Sequence, residues 1–259
     1  MKQSSIKAKK KFGQNFLQDQ TVLTKIIESM PKNDHIVVEI GPGLGDLTKY
    51  LVNVKSVEAF EVDTELCVLL QEKFKTELDT KRLQLHCGDV LEAWQSELCK
   101  KEYDLVANLP YYIATNIILK ALADKNCKNI LVMVQLEVAQ KFCAKPGEKE
   151  FGSLSVIAQS VATCKITQIV PPESFDPMPK VDSAVMLLQK HTNRTDDGFE
   201  KFLRVCFTQP RKTLLKNLSA VYDKPTLQEI FSTLGFALNI RPHQLSTNDY
   251  HQLYTLLTK

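Results

Sequence analysis

The sequence predicts an α/β protein, a doubly wound parallel sheet followed by a small all-helical domain. Short β-branched runs alternate with helical stretches from residue 35 to about 135, a glycine-rich turn follows the first run, and the pattern turns purely helical after residue 196.

Five strands are expected at residues 35–40, 56–60, 82–87, 103–107 and 129–134, each a run of alternating or fully apolar residues. Strands separated by helical stretches imply parallel pairing, because the chain must cross back over the sheet between them. Two further strands, 163–170 and 183–189, follow without a clear intervening helix and predict an antiparallel pair added at the sheet edge. Such an addition is typical of methyltransferases rather than dehydrogenases. The polar stretch 191–198 reads as a linker. Beyond it, Phe199, Phe202, Leu203, Cys206 and Phe207 fall on one helical face, Leu214, Leu215 and Leu218 on a second helix, and Leu227, Ile230, Phe231 and Leu234 on a third. Pro210 is placed in the first turn of the second of these helices. The expected domains are 1–190, with a basic arm over 1–11, and 191–259.

Composition narrows the class. With 259 residues, 44% hydrophobic and 24% charged, the chain is ordinary for a globular protein with a sizeable core. No apolar run approaches the roughly 18 residues a membrane span requires, and no apolar segment follows the basic amino terminus, so a cytoplasmic protein is expected. Seven cysteines are scattered without a C-x-x-C pair or a zinc spacing, which predicts reduced thiols, no disulfide and no metal. The net charge is only +3, but Lys2, Lys7, Lys9, Lys10 and Lys11 form one basic cluster and Arg204, Arg211, Lys212 and Lys216 another. Two such patches suit a polyanionic partner.

The turn Glu39-Ile40-Gly41-Pro42-Gly43-Leu44-Gly45 has the form G-x-G-x-G, neither the dinucleotide fingerprint nor a phosphate-binding loop. Pro42 also removes an amide donor that a pyrophosphate would need. A cofactor without phosphates fits, and S-adenosylmethionine is the leading candidate. Glu61, just past the second strand, can accept both ribose hydroxyls, with Asp63 as its competitor. Asp89, past the third strand, is either the acceptor for an adenine amino group or an N-cap for the next helix.

Asn108-Leu109-Pro110-Tyr111 follows the fourth strand, at the carboxyl end of a parallel sheet, where open α/β folds keep their chemistry. Taken alone, the tetrapeptide reads as a strand-end turn. With the cofactor turn it supplies two carbonyl acceptors, a rigid bend and an aromatic plane, a set suited to the exocyclic amino group of adenine. The Asn108 side-chain oxygen and the Leu109 carbonyl are expected to take the two amino hydrogens, while Tyr111 and Phe175 stack on the base from opposite sides.

The segments Gly13-Gln14-Asn15-Phe16-Leu17, Asn108-Leu109-Pro110-Tyr111 and Phe175-Asp176-Pro177-Met178-Pro179-Lys180-Val181-Asp182-Ser183 occur in that order. In these the chain resembles the ribosomal RNA small subunit methyltransferase A family, dimethyladenosine transferases that modify two adjacent adenosines near the 3′ end of 16S rRNA. The resemblance runs from about Lys10 to Leu256. It implies a Rossmann-like, S-adenosylmethionine-dependent methyltransferase domain acting on 16S rRNA in the small subunit or its assembly intermediate, and a helical domain that binds RNA; the sequence itself is silent on oligomeric state, and a monomer is the expectation. Carried over by motif, Asn15 and Leu17 close over the methionine portion of the cofactor, Gly41 lines it, Glu61 holds the ribose, and Asp89 and Asn108 complete the set. The lysines before Gly13 become candidate phosphate contacts. One departure is Tyr112, where many relatives carry Asn or His.

Overall fold

A computed structural model describes residues 9, 14–192 and 196–258. In chain order the elements are β1 (Phe16–Leu17), α1 (Gln20–Glu28), β2 (Ile36–Ile40), α2 (Asp46–Val54), β3 (Val57–Glu61), α3 (Thr64–Lys73), α4 (Lys75–Asp79), β4 (Leu83–Cys87), α5 (Val90–Ala93), β5 (Tyr103–Asn108) and α6 (Ala114–Ala123). They continue with β6 (Cys127–Gln135), α7 (Leu136–Cys143), α8 (Ser153–Val161), β7 (Ala162–Val170), β8 (Phe175–Asp176), β9 (Ser183–Lys190), α9 (Asp197–Cys206), α10 (Leu214–Leu218), α11 (Lys224–Leu234) and α12 (Thr247–Leu257).

The main sheet has the order β4-β3-β2-β5-β6-β9-β7. From β4 to β6 all pairings are parallel, and β9 joins β6 antiparallel. The strand order reverses between β2 and β5, which makes that pair the topological switch point. Their pairing runs from Ile36 and Tyr103 to Val38 and Leu105. The carboxyl ends of both strands therefore run on, unpaired with each other, into a crevice. The central strands are buried on both faces, and Val37, Val38, Leu105, Val106, Ile130 and Val132 are inaccessible to solvent. This is the continuous apolar pattern that made them legible in the sequence.

Caps fix where the helices that frame the crevice begin. Asp19 accepts from the amides of Thr21 and Val22 to start α1, Asp63 accepts from Glu65 to start α3, and Asp89 accepts from Leu91 to start α5. Two short strands escape the sequence reading because two residues carry no periodicity. In them β1 pairs antiparallel with β8, Phe16 opposite Asp176 and Leu17 opposite Phe175.

The described residues form two compact units, one within 1–139 and 165–193, the other within 140–164 and 194–259. The second unit thus takes residues 140–164, which the sequence reading assigns to the first domain. The reason is apolar packing: Ala144, Phe151 and Val156 join Phe199, Phe202, Leu203, Phe231 and Leu253 in one buried cluster. Pro210 lies in a turn ahead of α10, and Thr213 is the residue that caps this helix, by accepting from the Lys216 amide.

The expectation that all cysteines are unpaired is corrected. Cys67 on α3 and Cys87 at the end of β4 are joined by a disulfide, their Cα atoms 6.1 Å apart. Nothing in the spacing of these two residues signals this. The parallel pairing of β3 with β4, which sets Cys87 opposite Glu61, brings them together.

Candidate active site

The switch point opens into a cleft with about 1080 Å³ of empty space, its solvent-open mouth included. That is of the order of small-molecule sites, roughly 300–1,000 Å³. Three turns at the carboxyl ends of β2, β3 and β5 meet there, with β1 and the turn after β4 completing the wall.

The turn after β2 needs its glycines. Gly41 has φ +69°, which a side chain would strain, and a Cβ there would point at the Pro110 ring of the β5 turn, 3.7 Å away. Gly45 has φ +80°, and a Cβ there would stand 2.5 Å from the Phe74 ring, so α3 packs directly on the turn. Lys73 reinforces this by donating to the Leu44 carbonyl at 2.6 Å.

Glu61 lies at the end of β3, 3% exposed, and lines the cleft. Its two oxygens accept from the Gly43 amide at 3.1 Å and the Asp63 amide at 2.9 Å. Burial raises its pKa, opposed by these backbone hydrogen bonds. Asp63 points elsewhere. Besides capping α3, it accepts from Lys9 Nζ at 2.8 Å and Gln14 Nε2 at 3.2 Å. Its carboxyl is held below the ordinary range because those bonds outweigh the opposing effect of burial. Of the two carboxylates, Glu61 lies in the cleft wall and Asp63 outside it.

Asp89 is exposed, lines the cleft and also caps α5, Oδ1 accepting from Leu91 N at 2.8 Å. The two sequence alternatives for this residue are compatible, since the cap uses one carboxylate oxygen.

Asn108, Leu109, Pro110 and Tyr111 all line the cleft. Asn108 Nδ2 donates to the backbone carbonyl of Asn15 at 3.1 Å. Leu109 is buried, and its amide donates to Met133 O at 3.1 Å, which ties the turn to β6. The Tyr111 hydroxyl is 2.7 Å from Ser183 Oγ at the start of β9, which anchors the tip of the ring. Burial raises the Tyr111 pKa. Asn15, Leu17 and Gly41 also lie in the wall, so ten of the eleven sequence-derived site positions come together when Asn108 is counted once for each of its two roles.

Phe175 is the exception and a correction. It is 5% exposed, packs in the apolar core with Leu17, Val170 and Val185, and is not part of the cleft wall. Its pairing opposite Leu17 explains this, because the β1–β8 ribbon turns the ring into the core. Tyr112, 61% exposed, is the aromatic of the wall with an open face.

The sequence reading assigns no role to Glu39, which is 2% exposed, lines the cleft and accepts from the Thr48 hydroxyl at 2.7 Å. Burial pushes its pKa up to about 8, against the opposing pull of the Thr48 hydrogen bond. An acid inside an otherwise apolar strand was the available signal. Lys9 is paired with Asp63 and with Glu65 at 3.0 Å, so it is not a free phosphate contact. Lys2, Lys7, Lys10 and Lys11 lie outside the described residues. Arg204, Arg211, Lys212 and Lys216 are exposed on the helical unit. Among the described residues no cluster of three potential metal ligands occurs, and no helix is long and apolar enough to cross a membrane.

The donor set fits S-adenosylmethionine. Amide-held Glu61 suits a ribose diol, Asp89 an adenine amino group, and the turn after β2 presents backbone rather than bulk. This crevice at a doubly wound switch point defines a Rossmann-like methyltransferase that depends on S-adenosylmethionine. The chain belongs to the family Ribosomal RNA adenine dimethylase, whose profile matches residues 5–259. It is 70% identical to the Ribosomal RNA small subunit methyltransferase A of Sulfurimonas denitrificans, over 97% of this chain and 94% of that one. It is 52% identical to the protein of the same name from Aliarcobacter butzleri, over 96% of each. Among solved structures, a dimethyladenosine transferase from Plasmodium falciparum matches with a TM-score of 0.80 and 25% identity, over 92% of this chain and 95% of that one. The 23S rRNA methyltransferase ErmE shares the fold, with a TM-score of 0.75 at 23% identity over 95% of this chain and 100% of that one.

Proposed function

We propose that this enzyme dimethylates the exocyclic amino groups of two adjacent adenosines near the 3′ end of 16S rRNA, in the small ribosomal subunit or its assembly intermediate, as a cytoplasmic monomer. The observation that carries the chemistry is the hydrogen bond from Asn108 Nδ2 to the Asn15 carbonyl. It commits the nitrogen of the Asn108 amide, so the oxygen is left as the group offered to a substrate.

An adenine amino nitrogen is a weak nucleophile because its lone pair is delocalised into the ring. The Asn108 oxygen and the Leu109 carbonyl accept its two hydrogens, which draws the nitrogen toward tetrahedral character and aims the pair. A neutral amide does this without an unpaired charge in a half-buried site. Tyr111, fixed through Ser183, offers one face for the base. When bound, S-adenosylmethionine supplies the electrophilic sulfonium methyl; Glu61, Asp89, Gly41, Asn15 and Leu17 are the residues that hold it. The exposed basic residues of the helical unit serve the phosphate backbone. The base must leave its stack to enter, at a cost of a few kcal/mol.

The test is incubation of labelled S-adenosylmethionine with undermethylated small subunits, large subunits and naked RNA, followed by mass analysis of modified nucleosides and the fragment carrying them. N6,N6-dimethyladenosine in a 3′-terminal 16S fragment is the expected result. Label confined to large-subunit RNA would overturn the substrate assignment.

A further inference from the structure

Both carboxylates assigned to the cofactor flank the disulfide. Glu61 ends β3 and leads into α3, which carries Cys67. Cys87 ends β4 directly opposite Glu61, and Gly88 and Asp89 follow it. The Glu61 carbonyl accepts from the Gly88 amide at 2.8 Å on the same side. Nothing lies within 4 Å of the space a Gly88 side chain would occupy, so the turn bearing Asp89 gains little support there from packing. The sulfur bridge ties the start of this turn to α3.

The two cysteines also differ in access. Cys67 is 4% exposed, whereas Cys87 is exposed at the end of an edge strand. The five other cysteines are buried or half-buried. An external thiol or disulfide therefore has one ready point of attack in this chain, at the margin of the cleft.

We propose that Cys67 and Cys87 form a reversible dithiol–disulfide site that sets the affinity of the cleft for the adenosine part of the cofactor. The proposal rests on the assignment of Glu61 and Asp89 to that cofactor. Oxidation proceeds by thiol–disulfide exchange with a small disulfide such as oxidised glutathione. The Cys87 thiolate attacks one glutathione sulfur and expels one glutathione thiolate, leaving a mixed disulfide. The Cys67 thiolate then attacks the Cys87 sulfur and expels the second. Two protein thiols are oxidised, one glutathione disulfide is reduced to two glutathiones, and the two protons pass to the departing thiolates. With the bridge closed, the Asp89 turn is fixed relative to Glu61 before ligand arrives, so less ordering is required on binding.

The experiment equilibrates the full-length protein in glutathione buffers of graded ratio. Linkage is read by differential alkylation and peptide mass, and affinity for S-adenosylhomocysteine by calorimetry. The Cys67–Cys87 peptide pair should rise with oxidised glutathione, and the bridged form should bind about threefold or more tightly than the dithiol form. By reciprocity, saturating S-adenosylhomocysteine should shift the glutathione ratio at half-oxidation by the same factor. Cys87→Ser, a change at an exposed position, should abolish both effects. Absence of linkage at every ratio, linkage without a change in affinity, or an affinity change that persists in Cys87→Ser each overturns the proposal. Binding in neither state would overturn the cofactor assignment and the proposal with it.

Discussion

The side-chain amide of Asn108 donates to the backbone carbonyl of Asn15 at 3.1 Å, joining residues 93 positions apart in the chain. The segment before β1 thereby sets the orientation of the Asn108 side chain in the cleft wall, and the same segment reaches Asp63 through Gln14.

Two replacements of Asn108 test that relationship. Asn108→Ala removes the acceptor and should lower the transfer rate about 10²- to 10³-fold, the range for losing one preorganised hydrogen-bonding group. Asn108→Asp keeps an oxygen but replaces the donor to Asn15 O with a second acceptor, so the loss should be comparable. Single-turnover transfer with calorimetric binding of S-adenosylhomocysteine would separate chemistry from cofactor affinity. An Asp variant with wild-type turnover would remove the Asn15 contact from the mechanism.

Phe175→Ala should act through stability. A Phe→Ala change in a well-packed core costs about 3–5 kcal/mol, and this ring is 5% exposed among Leu17, Val170 and Val185. Urea unfolding should show the loss, with saturable RNA methylation retained at temperatures where the variant is folded. Unchanged stability together with a raised KM for RNA would restore the stacking role.

Tyr112→Ala tests the open aromatic of the wall. It lines the cleft, and its pKa is raised by burial and by the charges of Asp89 and Glu61. This places it on the side of the cofactor carboxylates. Loss of a partly solvated stacking face, about 1 kcal/mol, should raise KM for S-adenosylmethionine about fivefold with little change in kcat. A selective rise in KM for RNA would move Tyr112 to the substrate side.

Glu39 gives a stability profile with a defined sign. Its pKa is raised from 4.5 to about 8 in the folded protein. Below about pH 4.5 both states are protonated and burial of this group carries no ionisation cost. As pH rises from there toward 8, the unfolded chain ionises at this position while the folded one does not, so stability falls. At about 1.4 kcal/mol per pH unit the full span is roughly 5 kcal/mol as an upper bound. Denaturation of Glu39→Gln, compared with wild type from pH 5 to 8 without cofactor, should lack this slope. Parallel profiles for the two proteins would show that Glu39 ionises freely.

Particular residues show where legibility ended. The central strands of the main sheet were readable because burial on both faces demands continuous apolar runs, and the more exposed edge strands β4 and β7 because apolar and polar residues mix along short β-prone runs. The turns that hold the site were readable because Gly41, Pro110 and Asn108 are residue types with narrow conformational or chemical uses. Phe175 was misplaced for the opposite reason: an aromatic between prolines suits a fixed loop and a core equally, and pairing opposite Leu17 decides the matter. Residues 140–164 were assigned by their place in the chain, whereas Phe151 and Val156 follow their apolar contacts.

The sequence by itself determined the doubly wound sheet, the helical region that follows it, the cofactor class and the turn Asn108-Leu109-Pro110-Tyr111 at the end of β5, all of which are written in local periodicity or in short motifs. Tertiary structure alone decided the placement of Asp63 outside the cleft wall, the orientation of Asn108, the burial of Phe175 and the union of Cys67 with Cys87. Each of these depends on which groups of a distant segment arrive within hydrogen-bonding, packing or bonding range. That is set by strand order and register, and no local pattern of side chains encodes it.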